Sequence, residues 1–223
     1  MINDIYLDIG SSNSKWKCEG RYFSSGNNEF DINNLPAHRK IWVSNVSDKF
    51  FNDSKNELVL VESQRTYKTL KNSYLYPKSL GSDRWLAMIA SYEMTKDTGF
   101  IVIDIGTAIT IDVVDIYGDH RGGLIFPGLE KIKQTFGNFP FKENIDISGI
   151  GKTTEDAWSI GAISLLINTI NQKTHELKSL FPKSKVFLTG GGFHVFKKYL
   201  DFHYDYHKNL VLDGLELFAD NVG

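Results

Sequence analysis

The sequence predicts a duplicated α/β protein, two lobes with a cleft between them, and three observations carry that prediction. The first is the stretch Ile103–Asp112, where a β-branched run passes through Asp104-Ile105-Gly106-Thr107 into a second apolar alternation. It reads as a strand, a tight turn and a strand. The second is a copy of that pattern near the start of the chain, Leu7-Asp8-Ile9-Gly10-Ser11-Ser12-Asn13-Ser14-Lys15, displaced by 104 − 8 = 96 residues. The third is that each copy sits in three successive strand runs: Ile5–Leu7, Lys15–Lys17 and Arg21–Phe23, then Phe100–Ile105, Ile109–Val114 and His120–Phe126. Self-similarity of this kind implies two related lobes, expected over residues 1–98 and 99–223.

The remaining elements follow in order. Ile41-Trp42-Val43 and Leu58–Val61 read as short strands, with a helix between them across the charged segment Ser47–Asn56. Tyr74–Leu80 holds Pro77 and is expected to be an extended loop, because proline and the residue before it disfavour helix interiors. From Ser82 the period changes: Trp85, Met88, Ile89 and Tyr92 fall on one helical face, with Ser82 as N-cap and Gly99 beyond the end. Leu129–Phe136 reads as a short helix, Asn138–Gly151 as an irregular loop, and residues from Ala157 to about Leu177 as a long helix. Lys185–Leu188 is a strand, Val195–Leu200 a helix, Leu210–Leu212 a last strand and Gly214–Asn221 a closing helix.

Composition narrows the function classes. The 223 residues are 41% hydrophobic and 23% charged, enough for one large or two small domains. The net charge of −2 gives no electrostatic pull toward nucleic acid or an anionic membrane. One cysteine, Cys18, rules out an internal disulfide and a cysteine-rich zinc cluster. The N-terminus lacks a signal-peptide pattern and no apolar run is long enough to span a bilayer, so a cytoplasmic location is expected.

Several stretches could carry chemistry. A lone Asp-x-Gly between strands is usually a hairpin turn. Two copies, each followed by hydroxyl residues, suit backbone N–H groups and hydroxyls approaching phosphate, with Asp104 and Asp112 able to position a cation. Lys15 can reach a phosphate as a point charge. Thr189-Gly190-Gly191-Gly192 follows a strand and precedes a helix, as a nucleotide turn does and as an ordinary loop also can. Gly149-Ile150-Gly151-Lys152-Thr153 is not a P-loop, because Asp146 occupies the required first glycine position. Thr153 is expected to cap the helix that begins near Thr154. His203 and His207 have the spacing of a metal pair only if helical, and Tyr204-Asp205-Tyr206 between them reads as an aromatic surface strand. Gly81-Ser82-Asp83-Arg84 has two readings of similar weight. It is either a capped helix start or a carboxylate that takes a substrate hydroxyl proton beside a guanidinium that holds an anion.

In their order and joint occurrence, Asp8–Ser12, Tyr74–Arg84, Asp104–Asp112, Gly122–Gly128, Thr153–Thr154, Thr189–Gly192 and Leu210–Leu215 match a known set of motifs. The chain resembles the type III pantothenate kinases, members of the acetate kinase/sugar kinase/Hsp70/actin superfamily. The resemblance implies duplicated actin-like (ribonuclease H-like) lobes and ATP-dependent phosphorylation of pantothenate, the first step of coenzyme A synthesis. It implies ATP phosphates on Asp8, Ile9, Gly10, Ser11, Ser12, Asn13, Ser14 and Lys15, magnesium positioned by Asp8 through water, and an ATP contact at Thr107. It further implies Asp83 as general base and a pantothenate pocket of Tyr74, Gly81, Ser82, Asp83, Arg84 and Thr154. Asp104 becomes a ligand for a monovalent cation, potassium or ammonium, and the protein a homodimer. Ser11 and Thr153 stand where the family usually has asparagine. Two alternatives remain: a kinase for another small hydroxylated substrate, and a regulatory module that binds nucleotide without transferring phosphate.

Overall fold

The computed structural model describes residues 3–47, 57–95 and 98–222. Its first sheet holds β1 (Ile5–Ile9), β2 (Asn13–Cys18), β3 (Arg21–Gly26), β4 (Lys40–Asn45) and β5 (Glu57–Leu60), in the order β3-β2-β1-β4-β5. β1, β2 and β3 form the expected antiparallel meander, while β4 lies parallel to β1 and to β5. A two-stranded hairpin, β6 (Thr66–Tyr67) and β7 (Leu70–Lys71), then leads through a short 3-10 turn, Pro77–Ser79, into α1 (Ser82–Thr95).

The second sheet holds β8 (Phe100–Ile105), β9 (Ala108–Val114) and β10 (His120–Pro127). After α2 (Leu129–Lys133), α3 (Thr154–Leu180), β11 (Lys185–Thr189) and α4 (Phe193–Phe196), the strand β12 (Asp205–Tyr206) completes that sheet, and α5 (Leu210–Val222) ends the chain. The order β10-β9-β8-β11-β12 repeats that of the first sheet, with β8–β9 antiparallel and β11 parallel to both β8 and β12. The 96-residue offset therefore marks a true duplication, with Asp8 on β1 and Asp104 on β8. The residues group into two compact units, Met1–Asp97 with Ile116–Gly122 and Asn209–Gly223, and Thr98–Asp115 with Gly123–Lys208.

Each central strand divides its side chains between two faces, since alternate residues point to opposite sides. In the first unit Ile5, Leu7 and Ile9 form a core with Ile32, Ile41 and Val43. The opposite face carries Tyr6 and Asp8, with Lys17 and Lys15 directly across on β2. In the second unit Ile101, Ile103 and Ile105 pack with Ile109, Ile111 and Val113 against Ile163, Leu166, Ile167 and Ile170 of α3. That leaves Asp104, Thr110 and Asp112 on the other face.

Helices α1 and α5 pack on each other and on the first sheet. Lys17 fixes α5 there: its Nζ lies 2.6 Å from Glu216 Oε2 and 3.5 Å from Asp213 Oδ1, and Tyr22 also donates to Asp213. Burial alone would lower the Lys17 ammonium, but its hydrogen bonds to Glu216 and Tyr22 outweigh that and hold it above the ordinary lysine value. The stabilisation is complete below the unfolded-state lysine value and is lost as pH rises through the higher folded value. Lys17→Met leaves two carboxylates facing a partly buried gap, and the expected loss is about 1–3 kcal/mol in urea unfolding at neutral pH.

Four expectations change. Leu210–Leu212 opens α5 and is not a strand: Val211, Gly214, Leu215, Phe218 and Ala219 are buried at helical spacing. Ser82 is the first helical residue and not the cap, since the Trp85 N–H reaches the Gly81 carbonyl at 3.1 Å. The helix expected over Val195–Leu200 is the shorter α4, and the loop at Pro77 contains a 3-10 turn. The helix expected across Ser47–Asn56 falls largely outside the described residues. Thr153 does cap α3, accepting the Asp156 N–H at 3.1 Å. Among the described residues, no helix is long and apolar enough to cross a membrane.

Candidate active site

In the first unit, the turn between β1 and β2 exposes Ser11, Ser12 and Asn13. Asn27 holds it from behind. Its Nδ2 donates to the Gly10 carbonyl at 2.8 Å, its Oδ1 accepts from Ser14 Oγ at 2.8 Å, and its N–H reaches the Ser12 carbonyl at 3.0 Å. A turn braced in this way presents backbone N–H groups without first having to order them.

Asp8 lies between Lys15 on β2 and Ser44 on β4 in the sheet register. Ser44 is fully buried, and its Oγ lies 3.0 Å from Ser82 Oγ at the head of α1. The next two residues are Asp83 and Arg84. Ser44, across from Asp8 on the neighbouring strand, thus joins β4 to the helix carrying Asp83, inside one unit.

Asp83 is half-buried in the first turn of α1, and its Oδ1 accepts the Arg84 N–H at 2.7 Å. The helix dipole favours the charged carboxylate there. Arg84 is buried, and its Nη1 donates to the Tyr74 hydroxyl at 2.9 Å while the guanidinium sits 5.6 Å from the Tyr74 ring centroid. The Tyr74 ring stacks on His120 at 5.9 Å, and His120 Nδ1 lies 3.3 Å from Ser73 Oγ. Arg84 thus touches both Tyr74 and Asp83, and His120 stacks on Tyr74.

The second unit builds a corresponding turn. The Gly192 N–H bonds the Ile105 carbonyl at 2.8 Å, and the Gly128 N–H bonds the Thr107 carbonyl at 2.9 Å. Gly190 has φ +99°, and a Cβ there would stand 2.3 Å from the Ile105 carbonyl oxygen and 2.4 Å from Asp104 Oδ1. Only glycine fits. Beside this turn Phe193 and Tyr206 stack with centroids 4.0 Å apart, and burial, then the Asp104 charge, pushes the Tyr206 hydroxyl pKa up. Asp104, Thr107 and Gly190–Gly192 therefore gather around the end of β8.

A family model described as type III pantothenate kinase matches residues 22–176. The chain belongs to the type III pantothenate kinase family. A type III pantothenate kinase from Pseudoalteromonas atlantica is 37% identical over 169 residues, covering 71% of this chain and 66% of that protein. Another, from Hahella chejuensis, is 30% identical over 246 residues, covering 99% of each. Among solved structures, a Campylobacter jejuni protein assigned to the Baf family of transcriptional activators superposes with a TM-score of 0.66 at 23% identity, covering 97% of each chain. A Sinorhizobium meliloti protein assigned as a 2-dehydro-3-deoxygalactonokinase superposes at 0.61 with 11% identity, covering 98% of this chain and 96% of that one. At these identities the likeness is one of fold, and the fold is actin-like.

For a type III pantothenate kinase, the expected residues fall into three groups. Asp8 to Lys15 and the Tyr74, Gly81, Ser82, Asp83 and Arg84 set lie in the first unit, while Asp104 and Thr107 lie in the second. Thr154 is exposed as the first residue of α3 in the second unit. Sequence reading missed Ser44, Asn27 and His120. A lone serine closing the apolar run Ile41-Trp42-Val43 was the one signal for Ser44.

Proposed function

We propose that this chain transfers the γ-phosphoryl group of ATP to the primary hydroxyl of pantothenate, giving 4'-phosphopantothenate and ADP, with Asp83 as general base. The observation that carries this reading is the Ser44–Ser82 hydrogen bond, which ties β4, the strand paired with that of the phosphate-turn acid Asp8, to the helix of the acceptor-side acid Asp83. Asp83 takes the hydroxyl proton as that oxygen attacks the γ-phosphorus, and the β–γ bridging oxygen leaves on ADP. Arg84, oriented by Tyr74, holds the pantothenate carboxylate or the phosphoryl charge that builds up during transfer. The Gly10–Lys15 turn binds the ATP phosphates, and Thr107 adds a contact. Most of the catalysis is then positioning and charge neutralisation.

Two cations fit the donors present. Magnesium keeps much of its water and needs only one or two carboxylates, which suits Asp8 beside the phosphate turn. Bound there, it would neutralise phosphate charge. Asp104, against Gly190 and near the Ile105 carbonyl, offers the oxygen donors that a potassium or ammonium ion takes. Asp104→Asn is expected to erase any rate difference between potassium and sodium buffers while sparing the fold. A coupled assay of ADP release with ATP, magnesium and pantothenate, run in sodium and then in potassium, tests the acceptor and the monovalent-cation dependence. ADP release with a sugar and none with pantothenate would refute the acceptor.

A homodimer and a cytoplasmic location complete the proposal. Ile150 at 92% and Leu165 at 57% exposure leave apolar side chains of the second unit in contact with water. Such surface favours burial against another copy. Light scattering is expected to return twice the chain mass, and a monomer would remove the dimer from the account.

A further inference from the structure

We propose that Asn72 and Arg65 are positioning residues for the acceptor side of the site: together they hold the loop that carries Tyr74, and through Tyr74 they orient Arg84. The inference rests on the reading of Tyr74 and Arg84 as pantothenate contacts.

Residues 72–76 have no sheet or helix ladder to satisfy their backbone, and polar backbone groups near a protein interior require partners. Two side chains supply them. Arg65 Nη1 donates to the carbonyls of Asn72 at 3.0 Å and Tyr74 at 2.9 Å, and its Nη2 donates to that of Leu75 at 2.9 Å. Asn72 is 2% exposed. Its Nδ2 donates to the carbonyls of Gln64 at 3.2 Å and Pro77 at 3.1 Å, and its Oδ1 accepts the Tyr74 N–H at 2.9 Å. The Asn72 N–H closes the staple on the Arg65 carbonyl at 2.9 Å. An amide has two donors and a carbonyl, and a guanidinium is a rigid planar fork of donors. Here both are spent on one loop.

The consequence is directional. The fixed Tyr74 hydroxyl receives Arg84 Nη1, whereas none of these bonds touches the Gly10–Lys15 turn. Loosening the staple should weaken the acceptor and spare ATP.

Asn72 is buried and its variants can fail to fold, so the exposed Arg65 carries the test. Arg65→Ala is expected to raise KM for pantothenate about tenfold and to leave KM for ATP within about twofold. Amide hydrogen exchange across residues 73–76 should quicken. Arg65→Lys should fall between, because one ammonium cannot serve three carbonyls. An unchanged KM for pantothenate, or equal rises in both KM values, overturns the proposal whatever the exchange shows. A wild-type protein inactive on pantothenate would instead count against the functional reading; the exchange then decides the staple, with faster exchange supporting it and unchanged exchange overturning it.

Discussion

Asp83→Asn is expected to lower kcat by about 10²–10⁴-fold, the usual worth of a positioned general base, with little change in ATP affinity. The substitution is close to isosteric. Asparagine keeps the oxygen that accepts the Arg84 N–H, so the first turn of α1 retains its local bond and only the proton-accepting charge goes. The carboxylate's interaction with the helix dipole is lost as well, which costs at most about 1 kcal/mol at a surface site. Thermal unfolding should therefore move little while turnover collapses. Calorimetric titration with a nonhydrolysable ATP analogue checks the binding half of the prediction, because Asp8 and the Gly10–Lys15 turn are untouched. Near-normal turnover would remove Asp83 from its role.

Gly214→Ala is expected to be the most damaging small change to the fold. Alanine normally stabilises a helix interior by about 1 kcal/mol over glycine. At Gly214, however, an added Cβ would stand 1.9 Å from the Leu86 carbonyl oxygen and 2.6 Å from its carbon. Those atoms belong to the backbone of α1 and cannot swing aside, so the helices must part or shift. Overpacking of this kind costs about 1–3 kcal/mol or more, which outweighs the propensity gain. Gly161 in α3 is the matched control, since nothing lies within 4 Å of a Cβ built there. Gly161→Ala should raise the urea midpoint and Gly214→Ala should lower it. Because α1 carries Asp83 and Arg84, the second variant should also lose activity.

The sequence made local features legible wherever one residue type had a single physical use. The glycines at 10 and 106, set between β-branched runs, announced both turns and with them the duplicated meander. Thr153 announced the start of α3, because its hydroxyl serves best at an N-cap. Non-local pairing left no such mark. Lys17 finds Glu216 199 positions away, and nothing in the spacing of either residue shows that α5 packs in the first unit. The same holds for Ser44, whose meaning comes from Ser82 on another element, and for Asn72, which reads as an ordinary loop residue until its three carbonyl and amide partners are seen. Leu210–Leu212 misled because three apolar residues before Asp-Gly fit a strand and a buried helix equally well. Only the packing of Gly214 against Leu86 decides between them.

Phosphorylation of pantothenate by this chain can be read by mass spectrometry of the products after incubation with ATP, magnesium and pantothenate. Pantothenate is expected to gain one phosphoryl group in step with ADP formation, and both signals are expected to vanish in Asp83→Asn. ADP formation with unmodified pantothenate, or phosphorylated product from the Asp83→Asn protein at the wild-type rate, would contradict it.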